Sequence, residues 1–475
     1  MKSSVALLLL MLCGCASGPT FVRPAAPRSQ TYTAAAPASA DSAAPAAEGA
    51  QRIVLGAPVA PDWWNLFGSA ALNDLIEQAL AGSPTVRAAQ STLLQAQELA
   101  AAAGGARYPQ ADLTAGAGRQ KYGKEFLGPL TPPPPFTYFA AGAAVSYSFD
   151  AAGGIARSIE ERRALAEYQR QELRAAQLAL SGHVVSQAIA MASAAERMRA
   201  INELLAEDRR NLELVQTSFA AGNTTRVDVL LADSQLANDE TLRPPAAQEL
   251  ALARHALAAL IGRAPADWAP PQLDFANLSL PATLPVSLPS ELVRQRPDIL
   301  AAEAELHAAT AQVGIATANL YPHITLSGSA GQQALTLGTL FAGGNGVWAL
   351  SSGLTAPIFD AGTLRAERRA DIDALQASAA NYEDTVLQGL RQVADVLAGI
   401  EHDAELLGAE THAVDAAQAS VNLARESYRA GNVGVLQVLD AERAYSRARL
   451  DFVRVQGQRY ADTAQLYLAL GGSAP

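Results

Sequence analysis

"SYRAGNVGVLQVLDAERAYS" occupies residues 427–446, and "SFAAGNTTRVDVLLADSQLA" occupies residues 218–237. Each reads as helix on both sides of a Gly-Asn pair. Glycine and asparagine tolerate the left-handed backbone that lets a helix stop and reverse. Each stretch therefore reads as the tip of a helical hairpin. The same interrupted helix, built twice, asks whether the whole chain is built twice.

It is. Pro84 aligns with Pro297, and Tyr108-Pro109 aligns with Tyr321-Pro322 at the same offset. "SYSFDAAGGIARSIEERRA" (146–164) then matches "APIFDAGTLRAERRA" (356–370) with a small gap. Gly222-Asn223 falls on Gly431-Asn432, and the segments beyond them end at Gly262 and Gly471. Landmarks in one order at nearly constant offset mark a tandem duplication. The expected layout is a first repeat over 61–262, a linker over 263–289 and a second repeat over 290–475.

Each repeat opens with an alanine-rich helix (85–107; 298–320) that Tyr-Pro stops, because proline disfavours helix in the residue before it. Segments of period-two alternation follow. In residues 138–149, Phe139, Val145, Tyr147 and Phe149 share a face. In residues 347–359, Trp348, Leu350, Leu354 and Ile358 do so. Aromatics at period two predict strands, with partners near 111–122 and 323–332. The strands thus span about 111–149 and 323–359. Helical hairpins follow over about 152–243 and 362–470. From Ile155 to Gly222 the helix runs roughly 100 Å at 1.5 Å per residue. Its many charges, such as Glu160, Arg162, Arg209 and Arg210, exclude a bilayer interior. Pro244-Pro245 break the first returning helix.

The start of the chain predicts export. Lys2 and an apolar run over 5–12 form a secretion signal, and "LCGC" (12–15) resembles the lipobox of bacterial lipoproteins. That resemblance implies removal of residues 1–14, acylation of Cys15 and, with Ala16 following, sorting to the outer membrane. Residues 15–60 then form a lipid-anchored, extended N-terminal segment. Cys13 and Cys15 are the only cysteines, so the mature chain has no disulfide. The net charge of −11 tells against nucleic acid as a partner.

Four strands cannot close a barrel, and strands cross a membrane only as a closed one. Either they lie outside the membrane or several chains share one barrel. A trimer supplies twelve strands and gathers the long helices into a cylinder.

"LPVSLPSELVRQRPDILAAEAEL" (284–306), "NLYPHITLSGSAG" (319–331), "PIFDAGTLRAERRA" (357–370) and "GNVGVLQVLDAERAY" (431–445) resemble the outer-membrane factor lipoproteins of tripartite efflux systems, the TolC-like, OprM/NodT-type channels. The resemblance covers nearly the whole mature chain. "FDAAGGIAR" (149–157) departs from it, since that family usually carries an aspartate followed by aromatic-Gly-Arg. The implied fold is mainly α with a membrane β-barrel, a homotrimeric α-helical barrel topped by twelve strands. The implied partners are a periplasmic adaptor protein, an inner-membrane pump, often proton-driven, and outer-membrane lipid.

The resemblance also implies roles for residues. Leu436 and Asp440, one helical turn apart, match a periplasmic gate in which a hydrophobic ring sits beside an acidic one. The plainer alternative puts Leu436 in a hairpin core and Asp440 in solvent. Position 231 of the first repeat, matching Asp440, is leucine, with Arg226 and Asp228 nearby as tip contacts or solvated charges. Gly222, Asn223, Thr224, Gly431, Asn432 and Val433 are expected to dock the adaptor, and Trp348 and Leu350 to face lipid. Trp63-Trp64 are expected to pack the first helix.

No enzyme is expected. His183, His255, His307, His323, His402 and His412 are scattered without metal-ligand spacing. There is no phosphate-binding loop and no nucleophile elbow, so neither metal nor cofactor is expected. The function these residues point to is a passive, gated duct for small molecules. The alternatives are a duct for type I protein secretion and a non-conducting periplasmic coiled-coil lipoprotein.

Overall fold

The computed structural model describes residues 17–33, 51–123 and 134–472. The signal segment and Cys15 lie outside them. The chain divides into two compact units, each drawing on both repeats.

The first unit comprises Met1–Pro24, Thr92–Arg170 and Ala301–Glu383. Its centre is one antiparallel sheet of β2 (Gln110–Gln120), β3 (Phe136–Phe149), β5 (His323–Ala334) and β6 (Gly346–Thr355), in that order. The join between repeats is the β3–β5 pairing, from Phe139 opposite Ala334 to Phe149 opposite Ile324. Register then separates the sheet's two faces. One row carries Phe149, Ile324 and Leu354, another Val145, Gly328 and Leu350, and a third Leu113, Ala143, Ala330 and Trp348. The opposite face carries Ser146, Ser148, Thr325, Ser327, Ser329 and Ser351, with Ser327 and Ser351 hydrogen-bonded at 2.8 Å. The period-two reading of the sequence is therefore the physical division of this sheet. The last strand ends at Thr355, short of the expected 359, because Pro357 cannot donate to a ladder.

Both strand-to-helix junctions use an aspartate. Asp150 accepts from the amides of Ile155 and Ala156 at 3.0 and 2.8 Å, opening α3 (Gly154–Ala220). Asp360 accepts from Gly362 and Leu364, both at 2.9 Å, opening α8 (Thr363–Arg429). These backbone donors hold the Asp360 carboxyl below its ordinary range. The unusual "FDAAGG" thus keeps the junction's hydrogen bonding. The stretch around Ser17 is also fixed in this unit. Ser17 donates through N and Oγ to the Ala152 carbonyl, and Arg157 donates to the Ser17 carbonyl at 3.1 Å. His307 bonds Glu160 at 2.9 Å and stacks on Phe21, which gives it a structural role.

The second unit comprises Ala25–Ser91, Gln171–Leu300 and Asp384–Pro475. Trp63, Phe67, Leu72, Leu75 and Ile76 are fully buried here against Val184, Val185, Leu466 and Tyr467. Trp63 stacks on Tyr467 with ring centroids 5.3 Å apart, so the Trp pair is a packing element, as expected. The segment 263–289 is no free linker. Its strand β4 (Thr283–Val286) pairs in parallel with β1 (Arg52–Leu55), and Leu284 and Val286 are fully buried. Alternate apolar side chains draw it into the core. Through the same pairing, Arg52–Leu55 of the N-terminal segment is a strand of this unit.

The "RQRPD" stretch also has a structural explanation. Buried Arg296 grips Asp298 through two nitrogens, at 3.0 and 2.6 Å, and bonds Gln392 and the carbonyl of Ala469. It ties the start of α7 (Pro297–Ala318) to α8 and to the end of α9 (Val435–Ala469). The remaining helices are α1 (Ala70–Gly82), α2 (Pro84–Gly105), α4 (Arg226–Glu240), α5 (Arg243–Leu260) and α6 (Pro289–Gln295). The first hairpin's return breaks between α4 and α5 at Thr241-Leu242, and the prolines sit in the first turn of α5, where a missing amide costs nothing. Among the described residues, α3 alone contains an 18-residue window apolar enough to cross a bilayer. It is 56% buried within the fold, so protein packing accounts for its composition.

Candidate functional site: the helical tips

Four helices meet at the two Gly-Asn turns. Gly222 (φ +73°) and Gly431 (φ +75°) are left-handed and surrounded by open space. At the first tip the amide of Gly222 donates to Phe219 and that of Asn223 to Ser218. At the second, Gly431 donates to Tyr428 and Asn432 to Ser427, all at 2.9–3.0 Å. These paired bonds cap orphan carbonyls at a helix end. Gly262 and Gly471 start the same pattern at the far ends of the returning helices.

The restarts differ. Thr225 caps α4 in a reciprocal box with Asp228, whose Oδ2 accepts from the Thr225 amide at 2.8 Å. The Thr225 backbone and hydroxyl hold the Asp228 carboxyl below its ordinary value. Asp228 is therefore a helix-capping group, a role the sequence reading did not include. Arg226 stands exposed beside it. At the second tip Gly434 caps α9, its amide donating to Gln437 Oε1 at 2.9 Å.

Val215, Val229, Ala232, Val435 and Leu439 form one core at the tips. Leu436 does not enter it and is 48% exposed, which removes the plainer reading of that residue. Asp440 is exposed on the same face, with Arg443 Nη1 3.4 Å from its Oδ1. Asn223, Thr224, Asn432 and Val433 lie on the turns themselves.

Behind the tips lies a polar network that the sequence reading missed. Arg425 on α8 bridges Glu442 on α9 (2.8 Å) and Glu207 on α3 (3.2 Å), and Asn211 also bonds Glu442. Burial pushes the Glu442 carboxyl above its ordinary value despite Arg425. Arg443 reaches across to Gln235 Oε1 at 2.9 Å, and Gln235 donates to Asp239 at 2.6 Å. The only sequence signal is helical spacing, as in Asp440 and Arg443. The contacts between hairpins leave no local pattern. No group of three or more potential metal ligands occurs among the described residues.

This fold, with its paired tips, is shared with known proteins. The family described as "Outer membrane efflux protein" matches residues 75–263 and 288–472. The chain belongs to that family. It is 32% identical over 417 residues to the pyoverdine export outer membrane protein OpmQ of Pseudomonas aeruginosa, covering 86% of this chain and 87% of OpmQ. It is 30% identical over 468 residues to the toluene efflux pump outer membrane protein TtgF of Pseudomonas putida, covering 98% and 95%. The solved structure of the outer-membrane channel OprN superposes with a TM-score of 0.86 at 28% identity, over 96% of this chain and 99% of that one. This protein is thus an outer-membrane efflux channel component and not an enzyme. The resemblance read from residues 284–306, 319–331, 357–370 and 431–445 holds.

Proposed function

We propose that three copies of this chain form a passive, gated duct, with twelve strands in the outer membrane and the hairpins as a periplasmic α-helical barrel. One observation carries this reading. The sheet has an apolar and a polar face and is open at both edges, β2 and β6. Its strands of 10–14 residues match the roughly 9–11 needed to span a bilayer. Unpaired edges are untenable in lipid, so β6 of one copy pairs with β2 of the next. Trp348 and Leu350, 80% and 81% exposed in the single chain, then face lipid. Cys15 carries the acyl anchor, two residues before the fixed Ser17.

A periplasmic adaptor docks on the tips at Gly222, Asn223, Thr224, Arg226, Asp228, Gly431, Asn432 and Val433. A proton-driven inner-membrane pump supplies the energy, and the cargo is small molecules, a reading supported by the pyoverdine export and toluene efflux in the names of OpmQ and TtgF. Leu436 and Asp440 form the periplasmic gate. The amphipathic sheet disfavours a non-conducting spacer, which has no use for an apolar face.

Single-channel conductance of the purified protein in a planar bilayer tests both parts. Wild type should be mostly closed. Asp440→Ala or Leu436→Ala should raise the open fraction about tenfold, the effect of ~1.4 kcal/mol on a two-state gate. Insertion without conductance in any variant would overturn the duct. Conductance unchanged in both variants would overturn the gate.

A further inference from the structure

A carboxyl pair with one buried member lies in the first hairpin, at the edge of the polar network behind the tips. Asp208 on α3 is only 5% exposed, and its Oδ2 has no hydrogen-bond partner. Asp239 on α4 is the neighbouring carboxyl that, after burial, acts on it most, and the next residue of each helix, Arg209 and Glu240, pairs across the same two helices at 2.9 Å. Two ionised carboxylates can only accept, so the pair bonds only if it holds a proton.

The surrounding charges leave that proton in place. On α3, Arg209 is taken by Glu240 of α4 at 2.9 Å, and Arg210 lies 3.6 Å from Glu207. From α8, Arg425 is shared between Glu442 and Glu207. From α9 come Glu442 itself and Arg443, which is engaged with Gln235 and Asp440. No cation among these is left to neutralise Asp208. Burial first, then Asp239, Glu442 and Glu207, push the Asp208 carboxyl up to about 7. The positions matching Asp208 and Asp239 in the second repeat are Ala417 and Ala448, so this pair belongs to the first hairpin alone. A separate pair, Asp403 with Asp462, lies between α8 and α9, roughly twice as far from its own tip at 1.5 Å per residue.

We propose that Asp208 and Asp239 share one proton that clasps α4 to α3, and that losing it loosens the first hairpin and opens the tip. The link to the tip is a chain of contacts. Asp239 accepts from Gln235, Gln235 accepts from Arg443, and Arg443 faces Asp440. This last step rests on the gate reading above. In the open form Asp208 meets water and returns to the ordinary aspartate range near pH 4. The closed form therefore binds the extra proton, and acid favours it. Between about pH 4 and about pH 7 the open-to-closed ratio should climb by up to tenfold per unit, then level off.

The test compares wild type with Asp208→Asn, Asp239→Asn, Asp403→Asn and Asp440→Ala in bilayers from about pH 5 to pH 8. Infrared spectra of the same proteins read the protonated carboxyl band. Asparagine restores the hydrogen bond without a titrating proton. The wild type should open as pH rises and plateau near neutrality. Asp208→Asn and Asp239→Asn should stay closed at every pH, with the neutral-range infrared titration reduced, and Asp403→Asn should keep the wild-type profile. A wild-type conductance insensitive to pH overturns the proposal. So does an unchanged infrared titration in Asp208→Asn, or an Asp403→Asn profile as flat as that of Asp208→Asn. If Asp440→Ala fails to open while Asp208→Asn still flattens the profile, the gate reading falls and the clasp stands.

Discussion

The two hairpin tips are copies of one design that have kept the same way of stopping a helix and acquired different ways of holding it. Each ends its descending helix with a left-handed glycine and the same paired amide bonds. Beyond the turn they part. The first restarts on a Thr225–Asp228 box, carries Leu231 and breaks before Pro244. The second restarts on Gly434, carries Asp440 and runs on unbroken for 35 residues. Arg425 and Glu442 match Gln216 and Asp233 at the same offset in the first repeat, so the buried ion pair exists only in the second. Backbone reversal is a local requirement that both copies must meet. Side-chain pairing depends on the neighbour, and the two copies have different neighbours.

The largest expected break in that comparison is Arg425→Ala. It leaves Glu442, 7% exposed at its side chain, without its main cation. The expected cost is about 2 kcal/mol, less than for a fully buried pair because Arg425 is one-third exposed. Gln216→Ala, its counterpart, should change stability by under about 0.5 kcal/mol. Hydrogen exchange at each tip would separate them, and equal losses would show that the hairpins are held alike.

Gly222→Ala and Gly431→Ala should each cost about 1 kcal/mol, since a Cβ meets open space and only the left-handed backbone resists it. The losses, read by denaturant unfolding, should be the same at both tips. A clear inequality would mean that one turn carries a load the other does not.

Smallest is the capping difference. Thr225→Ala should cost about 1 kcal/mol or somewhat less, while Gly434→Ser should stabilise the second tip by a few tenths. The box also has a pH signature. The Asp228 carboxyl is lowered, so its contribution is present above the ordinary aspartate value and is lost as pH falls through its lower folded value. The box's share of first-tip protection should therefore weaken in acid, and Thr225→Ala should remove that share.

Much of this architecture is legible in the sequence, because it rests on short-range physics. The Tyr-Pro stops, the period-two strands and the Gly-Asn reversals each need only a few neighbouring residues. The strand register matches the alternation of Val145, Leu350 and Leu354 residue by residue. Less legible are the segments whose fate depends on distant partners. Residues 263–289 read as a linker because β4 is four residues long and takes its order from distant partners, the strand β1 and the core around Leu284 and Val286. Asp228 reads as a tip contact and is a cap. Gln235, Arg425 and Glu442 give no local signal, since a charged or polar residue on a long helix is usually solvated.

The order of residues along the chain was enough to establish the duplication, the helical hairpins with their turning points, and the amphipathic strands. Those features follow from backbone sterics and side-chain periodicity, which act within a few residues. Folding in three dimensions was needed to join the repeats in one sheet through β3 and β5 and to mix both copies in each compact unit. It also buried Asp208 and Glu442 while leaving Asp440 exposed. Burial and charge pairing are properties of what lies across the gap, and the chain brings those groups together only when it folds.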